Sequence, residues 1–321
     1  MSRVRVGVVG AGQFGQNHLR VVSHSPRAEL VAVVDADPAR AASAAATYGC
    51  AAYADLRDLR GHVDAAIVAV PTAAHADVAV PLLDAEIDVL VEKPLAADLA
   101  SADRIVEAAA SRSRVLQVGH LERYNPAVLA LEKVATRPLF FEIHRMSVFS
   151  PRSLDVDVVL DLMIHDIDIV LSLVPDEPEE IRAAGISILS AKVDIANVRL
   201  QFPGGCVANL TASRVSTERV RKLRIFQPHQ YISVDYARQD GAVFTVGANQ
   251  QIGFAPLAVT KAEPLGLQFE AFLDSVQCRT QPKLDGRAAR RSLQVALSIL
   301  DKIEEHARVV AESLAPEWKP S

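Results

Sequence analysis

Between Val158 and Val174 the chain is strongly apolar but carries Asp161, His165, Asp166 and Asp168. Helical periodicity places Asp161, His165 and Asp168, at i, i+4 and i+7, on one face. Titratable groups in an apolar helix cost stability unless they find partners, so such a face reads as a site. An imidazole titrates near neutrality and can take a proton from a hydroxyl, while a carboxylate one turn away can fix its tautomer. The same Asp/His pair could hold a cation, but no further His or Cys cluster accompanies it, and no metal is expected. Capping of neighbouring backbone is the third reading, and it applies most directly to Asp168.

A second reactive position is Lys93. The apolar run Asp88–Val91 reads as a strand that ends in Glu92-Lys93-Pro94. At the carboxyl end of a parallel strand a residue faces the ligand crevice. A Lys there can polarise a substrate oxygen and relay its proton. Pro94 fixes the chain just beyond and is compatible with a cis peptide bond. The following strand ends at Gly119-His120, which places His120 toward the same crevice or leaves it capping the strand.

The third signal is Gly10-Ala11-Gly12-Gln13-Phe14-Gly15, a G-x-G-x-x-G motif between a strand and a helix. Gly10 permits the tight turn, Gly12 the close approach of a pyrophosphate, and Gly15 the packing of helix on strand. The helix N-terminus offers N–H groups and partial positive charge to phosphates. Asp35 follows Gly15 by about twenty residues, the spacing at which a carboxylate accepts bonds from the adenosine ribose hydroxyls. It also repels a 2′-phosphate, so NAD is expected over NADP, with Arg40 the one nearby cation bearing on that choice.

These groups need a scaffold. Val4–Val9, Leu30–Val34, Ala65–Val70, Asp88–Val91 and Val115–Val118 are strand-like. They alternate with Ala-rich helical stretches such as Pro38–Tyr48 and Ala97–Ser111. That alternation predicts an α/β domain with a doubly wound parallel sheet over residues 1–120. Residues 121–321 read as a second α/β domain with an open antiparallel sheet. Its strands are expected at Leu139–Val148, Ile181–Leu189, Val193–Phe202, Cys206–Ser213, Leu223–Phe226, Tyr231–Asp235 and Ala242–Val246. Helices are expected at Leu267–Val276 and Arg287–Val310, the last able to pack back on the first domain.

Composition narrows the function. The 321 residues are 50% hydrophobic and 23% charged, with a net charge of −5. This excludes a disordered chain and a generally basic nucleic-acid binder. Cys50, Cys206 and Cys278 form no C-x-x-C pair and read as small buried hydrophobes in a reducing compartment. The N-terminus does not resemble a signal peptide, and the longest uncharged run, Gly241–Thr260, contains Asn249, Gln250, Gln251 and Pro256. A cytoplasmic enzyme is expected.

The glycine motif, Asp35, Glu92-Lys93-Pro94, Gly119-His120 and the Asp161, His165, Asp168 stretch together resemble the Gfo/Idh/MocA oxidoreductase family over nearly the whole chain. The resemblance implies an N-terminal Rossmann domain, NAD as cofactor, and Lys93, Asp161 and His165 as the catalytic trio. Met163 stands where the family pattern has Gly. The candidate cofactor residues are Gly10, Gly12, Gln13, Phe14, Gly15, Asp35, Arg40, Pro71, Thr72, His75, Glu92 and Lys93. The candidate substrate residues are Lys93, His120, Arg123, Asn125, Arg152, Asp161 and His165. Arg145, Arg152, Arg219, Arg221 and Arg224 lie in segments expected to border the site, where guanidinium groups would suit a diphosphate. Within the family the resemblance is to enzymes that oxidise the 3-hydroxyl of a nucleotide sugar, UDP-N-acetylglucosamine. It implies a downstream aminotransferase serving 3-amino-sugar, lipid A type biosynthesis, and a homo-oligomer, dimer or tetramer, formed through the open sheet. Alternating apolar residues in Val193–Phe202 and Val207–Thr211 suit that role. A dehydrogenase of a free sugar or inositol, a non-catalytic NAD-binding sensor or scaffold, and an NAD-using glycosidase are the competing readings. Whether Lys93 or His165 is the immediate base stays open.

Overall fold

The computed structural model describes residues 2–149, 156–247 and 249–313. The chain divides into two compact units, Met1–Tyr124 with Ala262–Leu293, and Asn125–Lys261 with Gln294–Ser321.

The first unit is built on β1 (Val4–Val9), β2 (Ala28–Val34), β3 (Ala51–Tyr53), β4 (Ala65–Val68), β5 (Asp88–Glu92) and β6 (Leu116–Gly119). They form one parallel sheet in the order β3-β2-β1-β4-β5-β6. Burial on both faces explains why β4 and β5 read as unbroken apolar runs rather than alternating ones. The crossovers are α1 (Gln13–His24), α2 (Pro38–Tyr48), α3 (His75–Asp84) and α4 (Leu99–Ser111). Asp37 and Asp98 cap α2 and α4, accepting the N–H groups of Ala39 and Arg40 and of Ser101 respectively. Gly49 ends α2 at φ 69°, a left-handed geometry that favours glycine.

The first unit extends beyond residue 120, to Tyr124, and takes in Ala262–Leu293. Helix α7 (Pro264–Cys278) returns to the first unit, because Leu265, Phe269, Phe272, Leu273 and Val276 enter the same core as Val6, Leu19, Val22 and Ile67. Arg27 ties it further, donating to Glu270 at 2.9 Å and Asp274 at 2.7 Å. The amphipathic helix α8 (Gly286–Ser313) changes unit after Leu293.

The second unit holds β7 (Phe140–Val148), β8 (Glu180–Ile186), β9 (Ile195–Gln201), β10 (Val207–Ser216), β11 (Val220–Gln227), β12 (Gln230–Asp235), β13 (Asp240–Val246) and β14 (Ile252–Pro256). Their order is β14-β13-β12-β11-β7-β10-β9-β8. The sheet is not wholly antiparallel, since β7 and β10 pair in parallel at its centre. One face packs on α5 (Pro126–Leu131), α6 (Ile164–Leu173) and the later turns of α8, through residues such as Phe141, Ile143, Val198, Leu210, Leu223, Met163, Ile167 and Ile299. The apolar alternation in β9 and β10 serves this core. Ala196, Val198, Leu200, Ala208 and Leu210 point inward, whereas Asn197, Arg199, Asn209 and Thr211 lie on the other face.

The outward apolar surface is instead an aromatic stripe. Phe140, Phe226, Tyr231, Phe244 and Phe254 are register partners across β7, β11, β12, β13 and β14, with ring centroids 4.9–5.8 Å apart. The cysteines are all free. Cys206 is the buried hydrophobe expected, its thiol pushed up to about 11 by burial, but Cys278 is exposed. Among the described residues no helix is long and apolar enough to cross a membrane.

Candidate active site

In the first unit the candidate cofactor residues lie beyond the carboxyl ends of β1, β2, β4 and β5, and β1 and β4 are the neighbours at which the strand order reverses. Gly10 has φ +97°, and a Cβ there would stand 2.5 Å from the Ala69 carbonyl oxygen. A Cβ on Gly15 would lie 1.8 Å from the Gly10 oxygen, so α1 can leave the turn only without a side chain at that point. Around Gly12 nothing lies within 4 Å of where a Cβ would be. Helix α1 starts on Gly12 with no side-chain cap and no acidic residue in its first turn, unlike α2 and α4 with their aspartate caps. An uncapped N-terminus under open space fits the diphosphate of a dinucleotide.

Asp35 is buried and held by the same loop. Its Oδ2 accepts from the Ala11 N–H at 2.7 Å and its Oδ1 from the Asp37 N–H at 2.8 Å. Arg40 stands 3.7 Å from Asp35 and 3.6 Å from Asp37 and is exposed. Gln13, Phe14 and Pro71 are exposed, and Thr72 is half-buried. The Lys93–Pro94 peptide bond is cis. Lys93 is half-buried, while Glu92 is buried with its Oε1 2.7 Å from His18 Nε2. His75 is buried, with Nδ1 3.0 Å from the Pro94 oxygen and Nε2 3.0 Å from the Val70 oxygen. Side-chain polar atoms of Glu92 and His75 are thus engaged by protein. His120 is fully buried after β6, and Arg123 is buried with its carbonyl accepting from Lys283 at 3.3 Å.

In the second unit Asp161 lies not on a regular α-helix but in a π-helical turn, Val159–Met163, that leads into α6. Such wide turns occur often at functional sites. The wider turn and its burial pattern revise the single-face expectation: Asp161 and His165 are half-buried, whereas Asp166 and Asp168 are buried. Asp166 meets Arg145 of β7 in a two-pronged pair, Nε to Oδ2 and Nη2 to Oδ1, both 2.7 Å. The approach to the π turn is pinned as well, because the Val158 N–H donates to the Val193 oxygen and the Val193 N–H donates to Asp157 Oδ1, both at 2.9 Å. Asp194 beside it is buried. It accepts from the Ile188, Leu189 and Ser190 N–H groups and pairs with Arg214 at 3.0 Å.

Two family models match the chain, "Oxidoreductase family, NAD-binding Rossmann fold" over residues 4–120 and "GFO/IDH/MocA C-terminal domain" over residues 140–230. The UDP-N-acetylglucosamine 3-dehydrogenase of Acidithiobacillus ferrooxidans is 35% identical over 310 residues, covering 95% of this chain and 98% of that one. The chain belongs to the Gfo/Idh/MocA family of oxidoreductases. A solved structure of the Acidithiobacillus enzyme superposes with a TM-score of 0.89 at 34% identity, covering 95% of this chain and 99% of that one. An inositol 2-dehydrogenase of Rubrobacter xylanophilus is 34% identical over 228 residues, 67% of this chain and 66% of that one. A putative myo-inositol dehydrogenase structure from Sinorhizobium meliloti shares the fold, with a TM-score of 0.80 at 22% identity, covering 94% of this chain and 98% of that one.

In this Gfo/Idh/MocA oxidoreductase several candidate residues have protein partners. Asn125 caps α5: its Oδ1 accepts from the Ala127 N–H and its Nδ2 donates to the Tyr236 oxygen. Arg145 is spent on Asp166. Arg221 donates to the Met146 and Val220 oxygens and to Ser147 Oγ, and Arg224 pairs with Glu142 across the β11–β7 register. Of the five arginines considered for a diphosphate, Arg219 is exposed and Arg152 lies outside the described residues. Met163, where the family pattern has Gly, is fully buried in the core of the second unit. Sequence reasoning overlooked His18, although Gly15, His18, Leu19 and Val22 mark one buried face of α1.

Proposed function

We propose that this oxidoreductase uses NAD to oxidise the 3-hydroxyl of UDP-N-acetylglucosamine to the 3-keto sugar. The observation that carries this reading is the full-length match to an enzyme of that name; the presence of Lys93, Asp161 and His165, the trio the family resemblance implies, supports it. When bound, NAD supplies the acceptor for the electron pair and hydrogen that leave the carbinol carbon. The protein has to manage the hydroxyl proton and the charge left on oxygen. Lys93 and His165 divide these tasks, the ammonium holding the developing alkoxide and the imidazole taking up the proton. Asp161 holds the imidazole in the tautomer that can accept it. The 3-keto sugar then passes to an aminotransferase for 3-amino-sugar biosynthesis of the lipid A type, in the cytoplasm.

The test is NADH formation from NAD and UDP-N-acetylglucosamine, with an aminotransferase and glutamate present to remove the ketone. Absorbance that rises with the nucleotide sugar and stays flat with free sugars is expected. The second reading, oxidation of an inositol or free sugar, draws on the inositol 2-dehydrogenase match and on the commitment of Arg145, Arg221 and Arg224 to protein partners. Turnover of myo-inositol with none of the nucleotide sugar would select it.

NAD is proposed over NADP, and Asp35 supports this: its carboxylate, fixed by two N–H groups at the end of β2, would repel a 2′-phosphate. A hydrogen bond to a charged group contributes about 1.5–3 kcal/mol, so Asp35→Asn is expected to weaken NAD binding by about 10-fold to 100-fold. NADP binding should weaken less or improve, because a repulsive charge is removed. Titration calorimetry with both dinucleotides reads the ratio, and an unchanged NAD affinity would refute the assignment.

The oligomer is proposed to form through the aromatic stripe on the open sheet. Phe226 is 40% and Phe254 65% exposed, and Val246 and Ile252 extend the same apolar surface. Exposed apolar patches of this continuity mark protein contacts. Replacing Phe226 and Phe254 together by Glu should reduce the mass measured by light scattering to that of one chain. A wild type already at that mass would remove the proposal.

A further inference from the structure

We infer that His18 and His75 are positioning residues that grip the Glu92–Leu95 turn from two sides and so aim Lys93. The inference rests on the reading of Lys93 as the catalytic ammonium.

On one side stands Glu92, the last residue of β5. Its Oε1 lies 2.7 Å from His18 Nε2, and its Oε2 accepts the Lys93 N–H at 3.2 Å. The register pairs Glu92 with Gly119 of β6, and a Cβ on Gly119 would stand 3.0 Å from the Glu92 Cδ and both oxygens. A side chain at Gly119 would therefore press on the carboxylate. Burial pushes the Glu92 carboxyl up, but the hydrogen bond and charge of His18, together with the charge and N–H of Lys93, hold the group below the usual carboxylate range. A buried carboxylate needs such a partner. His18 is fully buried on α1, one turn after Gly15, so the helix that begins at the phosphate loop also holds the turn carrying Lys93.

On the other side stands His75, the first residue of α3. Nδ1 faces the Pro94 oxygen at 3.0 Å and the Leu95 oxygen at 3.3 Å, and Nε2 faces the Val70 oxygen at 3.0 Å. Carbonyl oxygens only accept, and burial pushes the His75 imidazole toward its neutral form, so its single N–H donates to one side at a time. The ring fills the space between the segment after β4 and the turn after β5 and contacts both. Residues on both sides of Lys93 are thereby fixed by side chains from other elements. Both rings are buried, with His18 Nε2 facing Glu92 and both nitrogens of His75 facing backbone oxygens.

The test compares His18→Ala, His75→Ala, His18→Gln and His75→Gln. A misplacement of about 1 Å costs about 100-fold in rate, so each Ala variant should lose about 10-fold to 100-fold in kcat per titrated NAD site. KM for the sugar and the dissociation constant for NAD should stay within about threefold of wild type, the pattern of an interaction that matters in the transition state. The Gln variants keep an amide donor and should recover part of the loss. Hydrogen exchange of the peptide spanning residues 92–96 should quicken in the Ala variants and slow again in the Gln variants. A general loss of structure would instead lower NAD stoichiometry and kcat together, and that outcome in the Gln variants as well as the Ala variants would overturn the inference. So would an unchanged kcat per site. If the wild type turns over no sugar, the substrate reading fails, and the exchange measurement still decides the grip on residues 92–96.

Discussion

Lys93→Met removes turnover while leaving NAD bound: kcat is expected to fall by about a thousandfold or more, with the NAD dissociation constant within about threefold of wild type. Met keeps most of the length and apolar volume of Lys, so the turn after β5 keeps its packing. What disappears is the ammonium, and an alkoxide developing on the carbinol oxygen then has no cation to stabilise it. The diphosphate and ribose contacts proposed for the Gly10–Gly15 loop and Asp35 involve residues that the substitution does not touch. Stopped-flow absorbance for the rate and calorimetry for binding separate the two effects. His165→Ala should show a similar split, because it removes the group that takes up the hydroxyl proton. Retention of more than about a tenth of wild-type kcat in Lys93→Met would rule out the proposed role.

The second large effect is on stability. Arg145 and Asp166 form a two-pronged pair with side chains only 3% and 2% exposed, and the guanidinium lies 5.3 Å from the centre of the Tyr236 ring. Removing one partner of a buried pair leaves an uncompensated charge and costs about 3–5 kcal/mol. Arg145→Met should therefore destabilise the second unit by that amount, lowering its midpoint by about 6–20 °C for a unit of this size. Arg145→Met with Asp166→Leu removes both charges and should recover most of the loss, since buried pairs replaced by apolar groups are often near neutral. Differential scanning calorimetry of the two single variants and the double variant closes the cycle. A double variant as unstable as the sum of the singles would mean that the two side chains act independently. Asp166 directly follows His165, so Arg145→Met is also expected to reduce kcat.

Most of the fold was legible because it rests on local rules. Unbroken Val- and Ile-rich runs separated by Ala-rich helices describe strands buried on both faces, and the structure has them in the order 3-2-1-4-5-6. Helix α2 was expected at Pro38–Tyr48 and is found there, because Pro38 at its first position, Asp37 before it and Gly49 after it are short-range signals. Strands β3 and β14 were not expected. Ala51–Tyr53 is too short to show a period, and Ile252–Pro256 is an exposed edge strand within an uncharged run containing Asn and Gln. In the site, Arg145 shows where the reading stopped short. Phe141, Ile143 and Arg145 alternate along the core-facing side of β7, so the period already places a guanidinium in the core. The sequence carries no indication of which of several aspartates meets it.

The sequence by itself determined the class of domain, the glycine turn that opens α1, the acidic end of β2 and the presence of Lys93, Asp161 and His165. Each of these depends on residues within one strand–turn–helix unit, where backbone sterics and short-range hydrogen bonds dominate. Only the tertiary structure decided that Arg145, Arg221 and Arg224 meet protein oxygens, that Asn125 caps a helix, and that Glu92 belongs to His18. The apolar alternation of β9 and β10 likewise faces the core, and the stacked rings face outward on other strands. These outcomes turn on which buried charge meets which partner across many residues of sequence. Burial makes an unpartnered charge costly, so some partner is required, but the long-range register of strands and helices selects it.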